Sequence, residues 1–217
     1  MRAIIFDMDG VLIDSEYAYT AAIKEIMLNQ GYEVSENYVY SFIGTTHEFT
    51  WSQIVKDYNL KSDINTFIDD MLDRRNEIVR NDGIIIYPNV REFIIENFKK
   101  GYKLAVASSS PRDEILRTVR ELDVAEYFEC LISGEEVENS KPAPEIFLKA
   151  SELINIPPQE CIVIEDSENG VIAAKRAGMY CIGYLDNKYP EQNLSLADIT
   201  VDDFRNINLS IIQKGEE

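Results

Sequence analysis

Two aspartates, one residue apart, follow the first apolar run of this 217-residue chain: Ala3-Ile4-Ile5-Phe6 leads straight into Asp7-Met8-Asp9-Gly10. Four apolar residues without alternation read as a strand buried on both faces. Ligands of open α/β sheets bind at the carboxyl ends of the strands, so Asp7 falls at such an end and Asp9 in the loop beyond it. Gly10 lets the backbone turn sharply. Two carboxylates this close repel each other, which raises one pKa. A divalent cation between them relieves the repulsion, and hard cations take oxygen ligands. The pair could supply a nucleophile, a metal ligand and a general acid/base. A solvated turn rich in Asp and Gly would use the same residues.

Three further stretches have the same character. Ile162-Val163-Ile164 leads into Glu165-Asp166-Ser167, a second acidic pair at a strand end. Asp166 could instead cap the helix that follows. With the first pair it could build an all-oxygen Mg²⁺ site completed by water. Val106-Ala107 leads into Ser108-Ser109-Ser110-Pro111-Arg112. A hydroxyl and backbone N–H groups at a helix start bind anions, and a Ser cap with Pro at the first helical position is the structural alternative. In Ser140-Lys141-Pro142-Ala143-Pro144 two prolines stiffen the loop, so Lys141 projects from an ordered segment and could neutralise a phosphate or an aspartyl group. As an isolated lysine it would be a solvated surface group.

The elements that must hold these residues follow from the apolar pattern. Strands are expected at 3–6, 103–107, 130–132, 162–164, 181–184 and 199–201. Helices are expected at 90–100, 113–122, 145–153 and 169–177. This β-α-β-α order predicts an α/β fold with a doubly wound parallel sheet. Residues 15–82 break the rhythm and read as helix throughout, at 16–29, 36–42, 47–58 and 64–80. The expected organisation is a core of 1–14 and 83–217 with a helical insertion at 15–82.

Composition narrows the function classes. Lys plus Arg number 21 and Asp plus Glu 39, a formal net charge of −18. A surface this acidic lacks the basic footprint of a nucleic-acid or anionic-membrane binder. No apolar run approaches the ~20 residues that span a bilayer, and Asp7 interrupts the N-terminal run before it resembles a signal peptide. Cys130, Cys161 and Cys181 are an odd set without CxxC spacing, read as buried free thiols of a cytoplasmic protein. His47 is the single histidine, which disfavours a zinc site. A monomer is expected.

Taken in order, DMDGVLIDSE (7–16), SSS (108–110), SKPAPEIF (140–147) and EDSENGVIAAKRAG (165–178) resemble the motifs of the haloacid dehalogenase (HAD) superfamily of phosphotransferases. The resemblance covers almost the whole chain. The helical insertion after the first motif, and YPNVREFI (87–94) after it, are similar to the subgroup containing β-phosphoglucomutase and the sugar-phosphate phosphatases. There the core is a Rossmann-like α/β domain and the insertion a helical cap. The resemblance implies that Asp7 attacks phosphorus to form an aspartyl-phosphate. Asp9 protonates the leaving oxygen and then deprotonates water. Asp7, the Asp9 carbonyl and Asp166 bind Mg²⁺, with Glu165 as a ligand or supporting partner. Ser108, with Ser109, holds the transferring phosphoryl, and Lys141 offsets its charge. Dehalogenases of the superfamily lack the second acidic residue, so Asp9 argues for phosphoryl transfer.

The implied function is a Mg²⁺-dependent phosphatase of a small phosphorylated metabolite, a sugar phosphate above all. The alternative is a β-phosphoglucomutase interconverting β-glucose 1-phosphate and glucose 6-phosphate. In the mutases a helper His stands at the position of Tyr19, an Arg beside a Gly turn at the position of His47, and a Lys-Asn pair at Pro111-Arg112. Gly44, His47 and Arg112 are the candidate substrate-contacting residues that remain, and Arg74 or Arg75 could replace part of the missing grip. Trp51 is expected in the cap core. A receiver-like signalling module would carry its phosphoacceptor on a later strand and no insertion. A silent metabolite binder would not keep every catalytic position filled.

Overall fold

The computed structural model describes residues 1–190 and 192–209. The chain runs β1 (Ala3–Phe6), β2 (Ile13–Asp14), α1 (Glu16–Asn29), α2 (Glu36–Tyr40), α3 (His47–Tyr58), α4 (Ile64–Asp82), β3 (Ile85–Ile86), α5 (Val90–Lys99), β4 (Lys103–Ser108), α6 (Arg112–Glu121), β5 (Phe128–Ser133), α7 (Glu145–Leu153), β6 (Cys161–Glu165), α8 (Glu168–Arg176), β7 (Tyr180–Tyr184) and β8 (Ile199–Val201). It divides into two compact units. Ser15–Ile84 with Lys188–Pro190 form the second unit, and the rest of the described chain forms the first. The part of the expected core beyond residue 209 lies outside the described residues.

The first unit is built on a six-stranded sheet in the order β5-β4-β1-β6-β7-β8, with every pairing parallel. The order reverses at β1, the topological switch point at which such sheets bind ligands. All four β1 residues have no solvent exposure, as the unbroken apolar run demands. Alternate side chains serve opposite faces. Ala3 and Ile5 join the cluster of Ala105, Val163, Phe147 from α7 and Val171 from α8. Phe6 meets Phe93 of α5 edge-on, ring centroids 6.1 Å apart. A separate antiparallel ladder, Ile13 with Ile86 and Asp14 with Ile85, went unread because two-residue strands carry no periodic signal. Of the three free thiols, Cys161 and Cys181 are buried but Cys130 is only partly so. Burial pushes the Cys130 thiol up to about 11 and Cys161 to about 12, so neither is a nucleophile near neutral pH.

The second unit is α1–α4 around one apolar cluster. The hydroxyls of Ser35 and Thr46 accept from the N–H groups of Tyr38 and Phe49, capping α2 and α3. Fully buried Trp51 stacks on Phe67, centroids 4.8 Å apart, and its indole N–H donates to Met71 Sδ at 3.4 Å. Trp51→Ala should cost about 3–5 kcal/mol, by lost transfer energy and the cavity left behind. Urea unfolding followed by circular dichroism checks this, and a cost below about 1 kcal/mol would contradict the central role of the indole. No helix among the described residues is long and apolar enough to cross a membrane.

Candidate active site

Asp7 sits just past β1, where its N–H donates to the Ile164 carbonyl at 3.0 Å. Its side chain is buried, and Lys141 Nζ donates to its Oδ1 at 2.7 Å. The same ammonium donates to Glu165 Oε1 at 2.8 Å and to the Ala107 carbonyl at 3.2 Å, so one cation joins three strand ends. Burial pushes the Asp7 carboxyl up to about 7; Lys141 opposes this, and Glu165 and Asp9 add to it. Burial alone would lower the Lys141 pKa, but the Asp7 and Glu165 carboxylates outweigh it and hold the ammonium above its ordinary range.

Glu165 ends β6 with no solvent exposure. Its Oε2 accepts from the Ser167 N–H at 2.7 Å and the Ser167 hydroxyl at 2.9 Å. Its carboxylate occupies the space where a side chain at Gly170 would begin: a Cβ there would lie 1.6 Å from Oε1. Asp166 makes the same demand on Gly10. With φ +74°, Gly10 lies so close to Asp166 that a Cβ would stand 1.9 Å from Oδ2. Oxygen atoms of Asp7, Glu165 and Asp166 lie within 4.8 Å of one another. This all-carboxylate set, with one member held near pH 7 by burial, has the hard-oxygen chemistry that suits Mg²⁺. Glu165 enters it with both oxygens already engaged.

Asp9 stands apart from that trio. Its Oδ2 accepts from the Ser110 hydroxyl at 2.5 Å and lies 3.4 Å from Ser108 Oγ, whereas its buried Oδ1 has no hydrogen-bond partner. Ser108 is buried at the end of β4, and its Oγ accepts from the Ser110 N–H at 3.0 Å. Ser109 is exposed. Pro111 stands at the N-cap of α6, one position earlier than its expected place.

The structure brings Asp7, Asp9, Ser108, Lys141, Glu165 and Asp166 together. It engages Arg112 elsewhere: the guanidinium donates to the Leu131 carbonyl at 2.8 Å and to Glu136 Oε1 at 2.6 Å. Gly44 and His47 belong to the helical unit. There Gly44 has φ +82°, and the His47 ring lies 5.4 Å from that of Tyr19, with the Arg75 guanidinium 5.2 Å over Tyr19. Burial lowers the His47 pKa; Glu48 opposes this and Arg75 reinforces it, so the ring is neutral near pH 7. Arg74 is held by Asp70 and Glu25. Sequence reasoning passed over Ser110, Ser167 and Gly170. The third serine of the SSS run was a visible signal, whereas the demand for hydrogen alone at 170 becomes legible only in three dimensions.

The family profile described as haloacid dehalogenase-like hydrolase matches residues 4–184. The chain belongs to that family. It is 34% identical over 179 residues to a phosphorylated carbohydrates phosphatase of Thermotoga maritima, covering 82% of each chain. A crystal structure from T. maritima that carries the provisional label beta-phosphoglucomutase superposes with a TM-score of 0.81 at 30% identity over 99% of both chains. CbbY of Rhodobacter sphaeroides, solved with phosphate, gives 0.76 at 25% identity over 95% of this chain and 96% of its own. Within the HAD family this chain is an enzyme of the phosphatase type.

Proposed function

We propose that this enzyme is a Mg²⁺-dependent phosphatase that hydrolyses a small phosphorylated metabolite, a sugar phosphate, through a phosphorylated Asp7. The observation that carries the reading is the Asp7 carboxylate held through Oδ1 by Lys141 at 2.7 Å, beside an Asp9 that owes nothing to that clamp. Oδ2 of Asp7 attacks phosphorus. As the Asp7–phosphorus bond forms and the ester bond breaks, Asp9 gives its proton to the leaving oxygen. Water then attacks the phosphoryl group, its proton passes to Asp9, and Asp7 is released with inorganic phosphate. Two easier steps replace one hard one, and Lys141 offsets charge at the strand ends throughout. Asp7 and Asp166, with support from Glu165, would hold Mg²⁺, which supplies positive charge against the phosphoryl oxygens. Ser108 and Ser109 would hold the phosphoryl group. The helical unit would act as the cap, with Tyr19, His47 and Arg75 as its groups suited to substrate selection.

The similarity to a structure labelled beta-phosphoglucomutase keeps the mutase as the second reading. Against it, neutral His47 cannot match an Arg fork on a second phosphate, and Arg112 is already bonded to Glu136. A panel of phosphate esters that includes β-glucose 1-phosphate decides between them. The phosphatase releases free phosphate from a sugar phosphate, loses turnover in EDTA and regains it with Mg²⁺. Bisphosphate-dependent conversion of β-glucose 1-phosphate to glucose 6-phosphate would establish the mutase. Preference for phosphoprotein or nucleic acid over every small ester would sink both readings, and full turnover in a metal-stripped sample would remove the metal.

A further inference from the structure

The loop after β4 is pinned from the neighbouring strand. The buried Ser133 hydroxyl, at the end of β5, donates to the Ser110 carbonyl at 2.7 Å. The same Oγ accepts from the Glu135 N–H at 3.1 Å, closing the short turn Gly134–Glu136. Gly134 lies so close to the loop that a Cβ there would stand 2.9 Å from the Ser109 carbonyl oxygen. The Arg112 N–H donates to Glu135 Oε2 at 3.2 Å, and its guanidinium is bonded to the Leu131 carbonyl and to Glu136. The segment around Ser110 is therefore fixed by β5 and its capping turn. What this arrangement presents is the Ser110 hydroxyl, 2.5 Å from Asp9 Oδ2. The other Asp9 oxygen, Oδ1, is buried and bare.

We infer that Ser110 is a positioning residue for Asp9: its hydroxyl fixes the rotation of the carboxyl group and reserves Oδ1 as the oxygen that passes the proton. A free carboxyl has two equivalent oxygens and rotates about its terminal bond. A hydroxyl donating to Oδ2 breaks that equivalence, because the acid proton is then favoured on the oxygen that accepts nothing. Proton transfer demands hydrogen-bond reach and alignment, so a carboxyl held through one oxygen spends more of its time aimed at the leaving group. Ser108 Oγ also donates to the same Oδ2, at the longer distance of 3.4 Å, while accepting from the Ser110 N–H; turning that hydroxyl to the phosphoryl group would still leave Asp9 held by Ser110. The inference rests on Asp9 as the acid/base of the proposed reaction.

The test compares kcat/KM for phenyl phosphate, whose leaving group is strongly basic, with para-nitrophenyl phosphate, whose leaving group departs with little acid help. Since kcat/KM reports steps up to departure of the leaving group, the later hydrolysis does not blur it. Ser110→Ala should lose about 10–100-fold on phenyl phosphate, a share of the ~10²–10⁴ that acid catalysis supplies, and under about 3-fold on the nitrophenyl ester. Ser110→Thr, which keeps the hydroxyl, should recover most of the loss. Equal losses on both esters, no loss, or a Thr variant no better than Ala would overturn the proposal. Asp9→Asn runs alongside. If it discriminates between the esters while Ser110→Ala does not, Ser110 alone is wrongly assigned. If it does not discriminate, the acid role of Asp9 falls and the Ser110 role falls with it.

Discussion

Asp7→Asn is expected to abolish turnover of every phosphate ester and to leave no phosphoryl adduct on the protein. Asn keeps the size of the side chain and an amide oxygen for Lys141, which now reaches Asp7 at 2.7 Å. What disappears is the nucleophilic carboxylate. The fold should survive, since burial already disfavours the Asp7 charge and Glu165 and Asp9 add to its repulsion. Asp9→Asn should fail in another way. It keeps the nucleophile and loses acid/base help worth ~10²–10⁴ in rate. With para-nitrophenyl phosphate the first step needs little of that help, while hydrolysis of the phosphorylated Asp7 needs the base, so the adduct should accumulate. Intact-mass measurement after mixing separates the two variants. A phosphoryl adduct on the Asp7 variant, or wild-type turnover by either, would overturn both assignments.

Lys141→Met should cost both stability and activity. The Lys141 side chain is 7% exposed and the Glu165 side chain 1%, so removing the ammonium strands two carboxylates in a region closed to water. Breaking a buried ion pair from one side costs about 3–5 kcal/mol, read as a drop in the urea midpoint of the metal-free protein. Adding Glu165→Gln should return part of that stability, because the second stranded charge is gone. It should return no activity, because the charge opposite Asp7 is still missing. A single variant as stable as the wild type would mean that Lys141 is not needed to balance these carboxylates. The sign with pH also follows. An acid whose folded pKa is raised from 3.8 to about 7 binds a proton in the folded state that the unfolded chain has released. Asp7 therefore makes the metal-free protein less stable as pH rises from about 4 to about 7.

The parallel sheet was legible because its strands are unbroken apolar runs: Ala3–Phe6 and Ile199–Val201 have the expected bounds, and the other four differ by at most two residues at either end. The helices were legible for the same reason, with Gly101 and Gly178 marking the ends of α5 and α8 at positive φ. The β2–β3 ladder was not, since Ile13-Asp14 and Ile85-Ile86 are too short for any period to show. At the site, residue types and strand ends indicated Asp7, Asp9, Ser108, Lys141 and the Glu165-Asp166 pair. They could not say which serine reaches Asp9, because Ser108, Ser109 and Ser110 differ only in direction, and direction is set by β5 through Ser133 and Gly134. Nor could they say that Arg112 is spent on Glu136, 24 residues on. Both are products of tertiary contacts between segments that no local pattern connects.

The pairing of β1 bears on how the chain is made. Ala3 precedes both of its partners along the chain: in the finished sheet it is paired with Lys103 on one side and Cys161 on the other. The central strand is thus made before either of the strands that flank it. Such distant partners mean high contact order, with a loop-closure cost that must be met before the contacts repay it. Meanwhile Ala-Ile-Ile-Phe, wholly buried in the end, is an unpartnered apolar strand of the kind that nascent chains aggregate through. The helices of 16–82 pack on one another within that segment and can form while β1 still waits for β4. Substitutions that delay β4 or β6 should therefore be felt first as loss of soluble yield during synthesis, before any effect on the candidate site residues at the sheet's carboxyl end.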